Sequence, residues 1–130
     1  MNIKKNITLL ITAILVLTGC SAESNSTNLS AADFLLKSQE PGVITIDVRT
    51  PEEFKSGYIS NSLNINVESD SFEGEIASLD KSATYAIYCR SGRRSQLAID
   101  KMRSAGFTNL FNLDNGINDW NANGLPLVTK

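Results

Sequence analysis

The chain contains no histidine, and its 130 residues include only two cysteines, Cys20 and Cys89. Without histidine, Cys–His and Ser–His nucleophilic catalysis are excluded, and so are most zinc sites. With two cysteines, one internal disulfide at most is possible. Strong charge of either sign is also missing: 12 Lys and Arg face 14 Asp and Glu, a formal net charge of −2. A mildly acidic domain is a poor match for a phosphate backbone, so no broad nucleic-acid binding is expected. The length suits one domain once any leader is removed, and an apolar content of 42% is enough for a core.

What is present begins with a leader. Lys4 and Lys5 precede the apolar run Ile7 to Leu17, which is interrupted only by threonine. Such a run is too short to span a bilayer, which takes roughly 20 residues, and has the form of a signal peptide. It ends in Leu17-Thr18-Gly19-Cys20, which resembles a bacterial lipobox. That resemblance implies cleavage before Cys20 and a lipid on its sulfur. Residues 1–19 are therefore expected to be a lipoprotein signal peptide, 20–28 a lipid-attached tether, and 29–130 the folded domain. The domain would stand outside the cytoplasm, on the periplasmic side or on the cell surface of a bacterial membrane. Loss of the leader removes two of the 12 basic residues and none of the 14 acidic ones, leaving a balance of −4. Ser21 to Asn28 holds no large apolar residue. A flexible segment of about 8 residues reaches roughly 15 Å. Acylation of Cys20 would leave Cys89 as the only thiol of the mature chain, with no internal disulfide partner.

From Leu29 onward, helical and strand-like patterns alternate. Ser30 is a candidate N-cap with Asp33 at N3, opening a helix that carries Phe34, Leu35 and Leu36. The β-branched run Val43 to Val48 reads as a buried strand. Thr50-Pro51-Glu52-Glu53 reads as a capping box with proline at N1, and Gly57 ends that short helix. Leu63 to Ile65 is a candidate short strand. Phe72, Ile76 and Leu79 lie at helical spacing, and Thr84 to Tyr88 reads as a second buried strand. A helix is expected over Ser95 to Ala105, then a strand through Leu110, Phe111 and Leu113. A last short helix holds Ile117 and Trp120. This alternation predicts an α/β fold, with a mostly parallel central sheet and helices on both faces in three layers. Ligands of such sheets bind at the carboxyl ends of strands, where Asp47 and Cys89 fall.

The loop Cys89-Arg90-Ser91-Gly92-Arg93-Arg94-Ser95 is the candidate active site. A thiol between a strand and a helix N-terminus meets backbone N–H groups and the positive end of the helix dipole. Those surroundings favour the thiolate, which is the nucleophile. Backbone N–H groups of residues 90 to 95 can converge on sulfur as an anion nest. Gly92 permits backbone geometry that a side chain would obstruct. Ser95 can cap the helix or donate its hydroxyl to sulfur. Arg90, Arg93 and Arg94 can attract an anion, although Arg94 can instead pair with an acid elsewhere. Asp47 is expected to cap neighbouring backbone, Arg49 to form an ion pair near the site with Glu53 or Asp47, and Trp120 to lie in the core.

Taken in order, Asp47-Val48-Arg49, Glu53-Phe54-Lys55-Ser56-Gly57-Tyr58-Ile59, Leu63-Asn64-Ile65, the Cys89 loop, and Leu113, Gly116, Trp120, Gly124 and Pro126 resemble a single-domain rhodanese. The loop fits that family's Cys-x-x-Gly-x-Arg-Ser pattern. The chain departs from the family at Tyr58, where histidine is common, at Asn61-Ser62 in place of Gly-Ala, and at Asn115-Gly116 in place of Gly-Gly. The resemblance implies the rhodanese fold and thiosulfate sulfurtransferase activity with no cofactor and no metal. A small anionic donor such as thiosulfate would pass sulfur to Cys89 as a persulfide, and an acceptor (cyanide, or a thiol of a small molecule or of a protein) would remove it. The residues 90 to 95 would bind substrate, with Asp47 and Arg49 supporting them. Two alternatives stay open. The domain can be a membrane-tethered persulfide carrier or sulfide-binding module. The similar loops of phosphatases and arsenate reductases use Cys-x5-Arg, whereas here arginine lies five residues after Cys89, at Arg94.

Overall fold

The computed structural model describes residues 27–129. The leader, Cys20 and most of the tether lie outside the described residues. Ten elements follow in chain order: β1 (Asn28–Leu29), α1 (Ala31–Gln39), β2 (Val43–Asp47), α2 (Pro51–Ser56), β3 (Leu63–Asn64), α3 (Phe72–Ala77), β4 (Thr84–Tyr88), α4 (Arg93–Ser104), β5 (Asn109–Leu113) and α5 (Gly116–Ala122). The five strands form one parallel sheet in the order β1-β5-β4-β2-β3. The expected α/β class and three layers are thus observed. No helix among the described residues is long and apolar enough to cross a membrane.

Strand side chains alternate between faces, and here each face is covered. On one side Tyr85, Ile87 and Cys89 join Ile46, Val48, Phe72, Ile99 and Met102 in a core beneath α3 and α4. On the other, Ala86 and Tyr88 pack with Phe34, Leu113, Ile117 and Trp120 beneath α1 and α5. Trp120 is a core residue, as expected; its indole N–H donates to the Pro126 carbonyl at 3.0 Å. Phe34 meets both Tyr88 and Trp120 edge to face.

The chain runs from β2 out to β3 at one edge, returns across β2 to β4, and continues in that direction to β5. The reversal puts a topological switch point between β2 and β4, where ligand crevices form. Asp47 and Tyr88 are register partners there, so the loops after these two strands meet at one point.

Three local expectations are corrected. Asn28, read as tether, pairs with Asn112 in β1, and Asn112 N–H donates to the Thr27 carbonyl at 2.6 Å. The helix expected from Ser95 begins at Arg93, because Gly92 at φ +94° turns the chain straight into its first turn. The capping box at Thr50 is half made. Thr50 Oγ1 accepts from Glu53 N–H at 3.3 Å, but the Glu53 carboxylate is drawn to Arg94 rather than back to the cap backbone.

Candidate active site

Cys89 follows the last residue of β4, and its side chain is fully buried. Among the described residues two groups stand at hydrogen-bond distance from its sulfur. Gly92 N–H donates to Sγ at 3.1 Å, and Ser95 Oγ lies 3.3 Å away. Ser95 Oγ also lies 3.1 Å from the Gly92 carbonyl. A serine hydroxyl has one proton to give. Facing a thiol, it can donate to Gly92 while accepting from S–H; facing a thiolate, it can turn and donate to sulfur. Ser95 therefore sits at N3 of α4 as a sulfur ligand and not as a helix cap. Of the backbone N–H groups of residues 90 to 95 expected at sulfur, Gly92's makes the contact.

The cradle is held from behind. Ile117 N–H donates to the Cys89 carbonyl at 2.9 Å and Asn118 N–H to the Arg90 carbonyl at 3.1 Å. The free N–H groups of the first turn of α5 thus hold the loop's carbonyls. This closeness requires Gly116, where a Cβ would stand 2.5 Å from Arg90 C and O and 2.6 Å from the Cys89 carbonyl oxygen. Asn115 takes φ +58°, a left-handed conformation that asparagine tolerates, so the family's Gly-Gly turn survives its replacement. Local pattern does not assign α5 to the site; the signal the chain carries for it is the Asn115-Gly116 pair after a strand.

The arginines divide by environment. Arg90 and Arg93 are exposed, and neither makes a side-chain ion pair among the described residues. Arg94 is bidentate with Glu53, at 2.7 Å and 2.9 Å. That bond chiefly, with Arg94's charge, pulls the Glu53 carboxyl down to about 2, and holds Arg94 above its ordinary value. The pair ties the start of α4 to α2. Because the folded carboxyl is depressed, its contribution to stability is full above the unfolded value of 4.5 and is lost as pH falls from there toward 2. In Glu53→Gln the stability curve below pH 4.5 should fall less steeply than in the parent, measured by denaturant melts across that range.

Asp47 and Arg49 form a buried pair. The Arg49 guanidinium donates to both carboxylate oxygens of Asp47 at 2.7–3.1 Å and to the Gly57 carbonyl at 2.7 Å. Asp47 also accepts Arg49 N–H at 2.9 Å, and Asn64 donates to the carbonyls of Asp47 and Arg49. Burial opposes the Arg49 charge, but the Asp47 carboxylate outweighs it and the pKa stays raised. The expected ion pair is thus to Asp47, not Glu53, and neither side chain hydrogen-bonds Cys89 among the described residues. Asp47→Ala would strand a guanidinium that is 4% exposed, and should cost about 3–5 kcal/mol in chemical denaturation. Below Arg49, the Tyr88 hydroxyl accepts from Ile59 N–H at 3.0 Å and donates to Ser62 at 3.1 Å. Burial, with Asp47 nearby, pushes its pKa well above the ordinary phenol range, so Tyr88 is a neutral prop and not a base.

A Cys–loop–helix cradle at the switch point of a five-stranded parallel sheet defines a class, and the comparisons agree with it. Residues 30–123 match the Rhodanese-like domain model, and the chain belongs to that family. Over 86 residues it is 34% identical to a sulfurtransferase of Allochromatium vinosum, covering 66% of this chain and 78% of that one. Over 82 residues it is 33% identical to the thiosulfate sulfurtransferase GlpE of Pseudomonas aeruginosa, covering 63% and 73%. An uncharacterized Synechocystis protein is 32% identical over 109 residues; the match takes 82% of this chain and 60% of that longer protein. A rhodanese-related protein from Thermoplasma volcanium superposes with a TM-score of 0.70 at 29% identity, covering 79% of this chain and 98% of that one.

Proposed function

We propose that the domain is a sulfurtransferase that carries sulfane sulfur as a persulfide on Cys89. The observation that carries this reading is the sulfur cradle itself: Gly92 N–H and Ser95 Oγ at hydrogen-bond distance from Sγ, in a chain without histidine. Thiosulfate is the favoured donor, since its name attaches to a relative with 33% identity. The Cys89 thiolate attacks the outer sulfur of thiosulfate. A new S–S bond forms, the donor's S–S bond breaks, and sulfite departs with the electron pair. The acceptor, a thiol or cyanide, then bonds to the outer sulfur and the Cys89 S–S bond breaks, returning the thiolate. Arg90 and Arg93 draw the dianion to the mouth and steady the departing sulfite. Arg94, already paired with Glu53, supports the loop.

Purified protein mixed with thiosulfate should gain the mass of one sulfur atom on the peptide holding Cys89. An unmodified thiol after exposure to a panel of donors would sink the reading. A persulfide that forms but never passes to small acceptors would make the domain a carrier. Replacing Arg90 and Arg93 by alanine should raise KM for thiosulfate by about tenfold while sparing an uncharged donor, because charge steering acts only on the anion. Equal losses for both donors would assign these side chains to structure.

The same proposal places the mature protein outside the cytoplasm, held to a membrane by lipid on Cys20. The Leu17-Thr18-Gly19-Cys20 segment supports it. Labelled palmitate should enter the wild-type protein and be absent from Cys20→Ala.

A further inference from the structure

The two faces of the sheet carry different chemistry. Cys89 packs into the face under α3 and α4. The opposite face, under α1 and α5, holds a groove of about 360 Å³ to which the Cys89 loop contributes nothing. Leu35, Ile59, Trp120 and Pro126 give it apolar walls, its other lining residues are serine, glutamine and asparagine, and no charged side chain lines it. At the next position of α1 stands Leu36, 65% exposed, the most exposed of the large apolar side chains among the described residues. On the same helix Lys37 pairs with Glu40 at 3.0 Å, which leaves Asp33 as its one charge without an ion-pair partner among the described residues.

Where the chain enters the domain decides what can cover this face. Asn28 lies in β1, at one edge of the sheet, and Ser30 alone separates β1 from α1. Asn28 is 28 − 20 = 8 positions from Cys20. Even fully extended, 8 residues span no more than about 28 Å. A lipid on Cys20 would therefore hold α1 within that distance of the bilayer. The charge lies at the other edge. From Glu52 to Asp80, through α2, β3 and α3, seven acids stand against one base, Lys55. β3 is the far edge strand, four strand spacings or about 19 Å from β1. On an anionic bilayer, repulsion turns the acidic edge outward and the uncharged α1 face inward. One exposed leucine and a small groove make a weak contact for a free protein. A short tether raises the effective concentration to the millimolar range, where a weak contact is occupied.

We propose that the α1 face, with Leu36 and the groove beside it, is the surface by which the domain rests on the lipid bilayer. The proposal rests on the reading that Cys20 is acylated. Leu36 enters the headgroup boundary, as the apolar side chains of interfacial helices do. Cys89 belongs to the other face of the sheet, so the cradle stays on the side turned toward water and its anionic donor.

Two arms test it on the mature lipidated protein with vesicles of phosphatidylglycerol and phosphatidylethanolamine. The first uses Trp120, the one tryptophan of the chain, which lines the groove. Its fluorescence should fall on vesicles whose lipids carry bromine on the upper acyl carbons, relative to vesicles without bromine. Leu36→Glu should lose most of that quenching. The same variant should still float with the vesicles and keep its rate with thiosulfate, since position 36 lies across the sheet from the cradle. Floating protein with Trp120 equally bright on both kinds of vesicle would overturn the α1 face and leave the lipid anchor standing. Protein that does not float would overturn the anchor, and the face with it. The second arm places a nitroxide at Leu36→Cys or at Glu75→Cys, each in a Cys89→Ser background. On vesicles the label at 36 should collide more with lipid-soluble oxygen and less with an aqueous nickel chelate, while the label at 75, on the acidic edge, should keep its solution behaviour. Equal collision ratios at the two positions would overturn the proposal. A label at 36 already shielded without vesicles, in protein that sediments at twice its mass, would assign the face to a second copy of the chain and overturn it as well.

Discussion

Cys89→Ser is expected to abolish sulfur transfer, with turnover lowered by about 10⁴-fold or more, the scale seen when a nucleophile is removed. Serine keeps the size of the side chain, so the buried cradle should survive. Its hydroxyl does not ionise near neutral pH, however, and must borrow a base to become a nucleophile. The chain contains no histidine, Tyr88 is held as a neutral phenol, and among the described residues the sulfur's hydrogen-bond partners are Gly92 N–H and the Ser95 hydroxyl. Oxygen also cannot store the transferred sulfur as a persulfide. The loss should therefore fall on the chemistry and spare the fold. A polar group in an apolar core costs on the order of 1–3 kcal/mol, which bounds the change in unfolding midpoint. The decisive pair of measurements is the thiosulfate mass adduct and the denaturation curve. A serine variant that still transferred sulfur would remove Cys89 from the mechanism.

Gly116→Ala should rank second, and Gly124→Ala supplies its control. Both glycines have left-handed backbones, at φ +60° and φ +67°. An alanine at either pays the same local strain, about 1–2 kcal/mol. They differ in what the new methyl meets. At Gly124 nothing lies within 4 Å, whereas at Gly116 the methyl falls 2.5 Å from the Arg90 carbonyl group. Those atoms are backbone and cannot swing aside, so α5 and the loop must part. Parting them loosens the bonds from Ile117 N–H and Asn118 N–H that hold the cradle. A shift of about 1 Å in a reacting group can cost about 10²-fold in rate, and a fall of that order is expected for Gly116→Ala with thiosulfate. Gly124→Ala should keep its rate and lose only the strain energy. Equal activity in the two variants would show that the α5 contact does not set the sulfur's geometry.

Much of this was legible along the chain because its cause is local. Ser30, Thr50 with Pro51, and Gly57 mark helix ends through bonds spanning three or four residues, and each does so where expected. The β-branched run at Val43 and the largely apolar run at Thr84 became central strands because both of their faces are covered. The failures share the opposite cause. Glu53 has the same spacing as a capping-box glutamate, yet it turns to Arg94, 41 positions away, because a bidentate guanidinium outcompetes a backbone N–H. Asn28 looked like tether because two residues carry no periodicity; it becomes strand only when β5 supplies the edge.

By itself, then, the sequence singled out the candidate nucleophile and excluded histidine from assisting it. One cysteine stands in a glycine–arginine loop, in a chain without histidine, and both facts are matters of composition and order. The tertiary structure alone decided how that cysteine is framed. It buried the thiol completely, set Ser95 and Gly92 N–H on its sulfur, and braced its carbonyls with the start of α5. It also sorted three similar arginines into two free cations and one held by Glu53. The physical reason is that hydrogen bonds and ion pairs depend on distance in space, and residues far apart in the chain become neighbours only when the sheet brings the ends of β2 and β4 together.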